Sequence, residues 1–92
     1  MAELERTKII PLIKPLEDTA QKTRYDQLEL KAPSLSQVEQ FYEKQEASTA
    51  IAAMRLLIAL VTDTRESVLA PMDYIDFCKC KEYLLGFLNW KP

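Results

Sequence analysis

The chain has 92 residues, of which 48% are hydrophobic and 28% charged, which fits one folded domain and excludes an intrinsically disordered chain. Its 12 basic and 14 acidic residues leave a net charge of -2 with no basic run, so neither nucleic acid nor an anionic membrane surface is an expected partner. A domain this small buries only about 60–65% of the surface its unfolded chain exposes, so apolar surface is left over.

Residues 1–6 read as a polar leader with no apolar segment, unlike a signal peptide. Residues 7–14, TKIIPLIK, predict a short strand, and Pro11, which has no amide hydrogen, places it at a sheet edge. Residues 16–23 are polar and predict a loop longer than a two-residue hairpin turn, because Asn-Gly and Asp-Gly are absent. Residues 24–32 alternate, with Leu28, Leu30 and Ala32 set against Asp26, Gln27, Glu29 and Lys31; this is a half-buried strand antiparallel to the first.

Pro33 ends the extended segment, and Ser34 with Gln37 three residues on has capping-box spacing. A helix over about 34–46 follows, with Leu35, Val38, Phe41 and Tyr42 on its apolar face. The pattern fades at Ala47–Thr49, where Ser48 or Thr49 can cap a second helix over about 49–62. That helix is apolar over roughly 220°, wider than the arc of little over about 100° that a one-sided surface helix needs. Only Ala52, Arg55, Ala59, Thr62 and Asp63 form a polar or small strip. Its apolar run, Ala50 to Val61 around Arg55, is shorter than the roughly 20 residues of a membrane span. Residues 63–70 form a link with one helical turn near Glu66–Leu69. Pro71 suits the first turn of a third helix, which runs to about Leu88. Tyr74, Phe77, Cys78, Leu84, Leu85 and Leu88 share one face of it, and Asn89 to Pro92 form a tail. The expected architecture is α+β, mostly α: one domain over 1–92, with a two-stranded hairpin over about 7–32 and a three-helix bundle centred on the second helix.

Chemistry-bearing motifs are sparse. Histidine is absent, which removes the commonest general base, and a single glycine cannot build a phosphate loop. Cys78 and Cys80 point to opposite sides of a helix, and with no other Cys or His they cannot make a structural zinc site; they read as reduced thiols, one or both packed as small hydrophobes. Asp73 and Asp76 read as dipole-complementing residues on a solvated first turn. No catalytic residue, metal ligand or cofactor is expected, and the chain is not expected to be an enzyme.

Two features remain. The wide arc of the second helix is either covered by its neighbours or left in part as a partner site. Lys81 lies in the middle of the third helix's apolar face, where it either lays its methylenes on apolar surface and lifts its ammonium to water, or meets a carboxylate of a partner. The candidate partner-binding residues are Ile51, Met54, Ile58, Tyr74, Lys81 and Leu85. Trp90 and Phe87 are further aromatic candidates.

Four segments carry a family resemblance: IIPLIKPLED, LELKAPSLSQVEQF, MRLLIALVTDTRESVLAPM and DYIDFCKCKEYLLGFLN. In combination, over about residues 7–88, they resemble the tail assembly chaperones of contractile-tailed, Mu-like phages and prophages. The departures are EDTAQK where that family often has a glycine in the first turn, and Leu-Val-Thr-Asp where it has Leu-Thr-Gly. The resemblance implies a non-catalytic protein that binds the tape measure protein, promotes polymerisation of the tail tube protein around it, acts in the cytoplasm of the bacterial host and is absent from the mature virion. It also allows a frameshift-extended form and a homo-oligomer. The alternatives are a small prophage regulatory or DNA-binding protein, which the balanced charge of DYIDFCKCKEYL opposes, and a structural tail subunit, which would sediment as a tight oligomer.

Overall fold

The computed structural model describes residues 6–90. The expected leader, apart from Arg6, and Lys91 and Pro92 of the expected tail lie outside the described residues. The order is β1 (Thr7–Asp18), β2 (Thr23–Lys31), α1 (Leu35–Ala47), α2 (Ala50–Thr62), the single-turn α3 (Glu66–Leu69) and α4 (Tyr74–Leu88). The fold is α+β and mostly α, a two-stranded antiparallel hairpin followed by helices.

β1 is longer than expected and takes in the first three residues of the predicted loop at 16–23. Thr7 to Pro11 pair with Lys31 to Gln27, and Leu16 to Asp18 pair with Tyr25 to Thr23. Between these stretches Leu12–Pro15 bulge out opposite Asp26 alone. Pro15 fits within the strand because a bulge tolerates a residue that cannot join the ladder, while Pro11, paired with Gln27, is the last residue before it. Past the bulge Leu16 and Asp18 turn inward, so residues that look like a polar loop are half core: both are buried. The turn itself spans Thr19–Lys22, with Lys22 in the left-handed region at φ 53°. The Gln21 amide donates to Asp18 Oδ1 at 3.2 Å and closes it. Arg65, just before α3, donates to the same carboxylate and ties the hairpin tip to the link.

α1 opens with the expected capping box: the Gln37 amide donates to Ser34 Oγ and the Ser34 amide donates to Gln37 Oε1. It packs chiefly on α2 through Phe41, so Leu35 and Tyr42, expected on its covered face, are exposed. Thr49 caps α2, accepting from the Ala52 amide at 3.0 Å, and Asp63 ends it in the left-handed conformation. α2 touches α1, β2, α3 and α4, as a helix apolar over so wide an arc must. Leu57 and Ala53 sit at its centre, fully enclosed. Ala59, expected on its polar strip, is buried instead, because α3 folds back over that end.

α4 starts at Tyr74, three residues after Pro71, because Asp73 rather than Pro71 sets its boundary: Asp73 accepts from the Ile75 amide at 2.9 Å. The helix leans mainly on β1 and less on α2. Its inward ridge is Asp76, Cys80 and Leu84, all with no exposed surface. Asp76 is thus not on a solvated turn. Both its oxygens accept from the Ile13 amide at 3.0 Å, and Oδ2 also accepts from the Lys14 amide at 3.2 Å. The bulge takes these amides out of the ladder, and a buried N–H needs an acceptor. The carboxylate supplies it, and so fastens α4 to the hairpin at one point.

A candidate docking groove between α2 and α4

With 76, 80 and 84 buried, the next ridge of α4 at helical spacing is Tyr74, Phe77, Lys81 and Leu85. It faces α2 but is not closed over by it. Two adjoining hollows lie along this seam. One, about 250 Å³, is lined by Phe41, Gln45, Ala50, Ile51, Met54, Tyr74, Phe77, Lys81 and Leu85. The other, about 170 Å³, is lined by Ile51, Arg55, Ile58, Leu69, Ala70, Met72, Tyr74 and Phe77. Ile51, Tyr74 and Phe77 belong to both, so the two form one groove. The hollow beside Lys81 and Leu85 takes the start of α2 and the one beside Tyr74 its middle, so the two helices run antiparallel along it.

All six residues singled out from the sequence line this groove, in different capacities. Ile51 and Tyr74 are 62% and 64% exposed and stand on its rim. Lys81 and Leu85 are half-buried in its wall. Met54 and Ile58 are 3% and 1% exposed: they are core residues that form the floor. The wide apolar arc of α2 is largely covered, and what remains open is its edge at Ile51.

Sequence reasoning merged the two ridges of α4 into one apolar face. It missed Phe77, which stacks on Tyr74 with ring centroids 5.9 Å apart, as the centre of the groove. It also missed Arg55, whose position on the polar strip of α2 concealed that the strip borders the second hollow. Phe87 packs edge-on against Tyr83 instead, and the exposed Trp90 is not among the lining residues. A larger depression of about 570 Å³ lies on the opposite side of α4, between it and β1. Lys8, Lys79 and Glu82 make its walls mixed in charge, so it offers an apolar surface less to bury.

The electrostatics near α4 follow from burial. Cys80 is enclosed beside the Asp76 carboxylate, and burial first, then that charge, push its thiol up to about 12, against a smaller opposing effect of Lys79. Cys78 is half-buried and lies one turn from Tyr74, and the side-chain hydrogen bond with Cys78, then its charge, raise the Tyr74 hydroxyl above its ordinary value. Among the described residues no group of three or more Cys, Asp or Glu could hold a metal ion. No described helix is long and apolar enough to cross a membrane.

Fold and groove together define a class: a small α+β fold in which a bulged hairpin is braced by helices and an apolar groove stays open between two of them. Residues 10–89 match the family model described as "Phage tail assembly chaperone proteins, E, or 41 or 14". The chain belongs to the phage tail assembly chaperone family. Its role is accordingly that of a chaperone in tail assembly, which points away from catalysis. No curated protein and no solved structure matches the chain significantly.

Proposed function

We propose that this protein binds an amphipathic helical segment of the phage tape measure protein in the groove between α2 and α4, keeps that long chain soluble, and promotes polymerisation of the tail tube protein around it. On this reading it works in the host cytoplasm and departs before the tail is complete, so it is absent from the mature virion. The observation that carries the proposal is the open apolar seam of Ile51, Phe77, Tyr74 and Leu85 on a chain of the tail assembly chaperone family. A tape measure is an extended helix whose apolar stripes aggregate when bare. A groove between two helices takes such a stripe through residues at i, i+3/i+4 and i+7. Release requires that no metal or covalent link hold the pair and that the affinity be moderate, which fits a shallow groove with few anchors.

The test is co-expression with the tape measure protein encoded nearby, reading capture and solubility of the long chain. Capture with gained solubility, lost on Ile51→Asp, is the expected result. A tape measure protein that aggregates while this protein stays free overturns the proposal.

A further inference from the structure

Among the described residues, the charged side chains that line the groove are all of one sign. The chain as a whole is acidic, at -2. Among the described residues the two hollows nevertheless have no carboxylate in their lining, and the charged groups there are Lys81 in one and Arg55 in the other, on either side of the shared Tyr74 and Phe77. Lys81 is half-buried among apolar side chains, and among the described residues no ion pair or hydrogen bond engages its ammonium. Arg55 is only partly neutralised: Glu66 stands 3.7 Å from its Nε, and that nitrogen, shut off from water, makes no hydrogen bond. The Arg55 side chain is nevertheless 42% exposed, which leaves its guanidinium open to a further carboxylate. From Tyr74 to Leu85 the α4 wall is about 16 Å long, or three helical turns, so a docked helix can meet both cations at once.

We infer that the segment this groove selects is an amphipathic helix whose apolar stripe is bordered by carboxylates, about three turns long, with acidic residues placed to reach Lys81 at one end and Arg55 at the other. This rests on the docking reading above and adds the partner's charge to it. Opposite charges at the edge of an apolar contact steer encounter and exclude wrong partners more than they tighten the contact itself. Among the many apolar stripes available in a lysate, the groove then prefers acidic-edged ones and rejects basic-edged ones, such as membrane-surface helices.

The experiment uses the full chain and three synthetic 18-residue helical peptides with one common apolar stripe. Their flanking positions are all Glu, all Gln or all Lys, and binding is followed by fluorescence anisotropy at low and high salt. The Glu peptide is expected to bind about tenfold more tightly than the Lys peptide at low salt, with the gap narrowing at high salt. Lys81→Met alone should shrink the gap, and Lys81→Met with Arg55→Gln should abolish it while leaving the Gln peptide bound. Far-UV circular dichroism verifies that both variants fold. Equal binding of the Glu and Lys peptides, a preference for Lys, or binding of none of the three overturns the inference. Loss of the charge preference alone leaves the tape measure proposal standing, because that is decided separately by capture of the long chain by wild type and Ile51→Asp.

Discussion

Replacing Asp76 with asparagine keeps the side chain's size and removes its charge. The wild-type carboxylate is fully enclosed and accepts from two bulge amides, at 3.0 and 3.2 Å. A hydrogen bond to a charged acceptor contributes about 1.5–3 kcal/mol. Asparagine has one carbonyl oxygen, so it satisfies one amide with a weaker neutral bond and turns its own NH₂ towards the other donor. The loss is about 3 kcal/mol, and Asp76→Ala, which orphans both amides, costs about 4–5 kcal/mol. Against a total of about 5–15 kcal/mol for an ordinary domain, either change is severe. At about 4–8 °C per kcal/mol in a chain of this size, Asp76→Asn lowers Tm by roughly 12–24 °C. Urea denaturation followed by far-UV circular dichroism, with m held common, measures the free-energy difference. Lys79 controls for the ion pair: its ammonium is 3.9 Å from Asp76 but partly exposed, so Lys79→Met should cost no more than about 0.5 kcal/mol. An asparagine variant within about 0.5 kcal/mol of wild type would refute the reasoning that the bulge amides depend on this carboxylate.

Four further outcomes follow from the same structure. Met54→Ala and Ile58→Ala remove floor residues that are also core, so each should cost about 2–5 kcal/mol of stability, whereas Tyr74→Ala on the rim should leave stability within about 1 kcal/mol and weaken partner capture; thermal melts beside the pull-down separate the two kinds of residue. Burial raises the Asp18 carboxyl, but the Gln21 amide and the hydrogen bond and charge of Arg65 outweigh it and hold the pKa below the ordinary 3.8. Stability from Asp18 is therefore present above the unfolded value and lost as pH falls through the folded one, so Asp18→Asn should destabilise at pH 7 by an amount that shrinks as pH falls below 3.8, which paired urea melts would show. Cys80, with its thiol moved from 9.0 to about 12, favours the fold while protonated; stability should fall as pH rises from 9 towards 12, and Cys80→Ala should flatten that alkaline loss. In the native protein iodoacetamide should modify the half-buried Cys78 well before the enclosed Cys80.

Local signals were sufficient for much of this protein. The Ser34–Gln37 capping box, the Thr49 cap, the alternation of Leu28 and Leu30, the turn at Glu66–Leu69 and the wide apolar arc of α2 are each written within a few residues. These features depend on periodicity and on hydrogen bonds between near neighbours in the chain, so the order of a hairpin and its helices was legible before any contact was known. The six groove candidates were legible as apolar or misplaced residues on helix faces, though not as rim, wall and floor. What only the tertiary structure decided is the pairing of the β1 bulge with Asp76, some sixty residues apart. No local pattern predicts that a carboxylate at a helix start will be buried, because its burial is stable only where amides displaced from another element's ladder converge on it. With that attachment in place, Asp76, Cys80 and Leu84 form the enclosed ridge of α4. Tyr74, Phe77, Lys81 and Leu85, the next ridge, then line the groove beside α2.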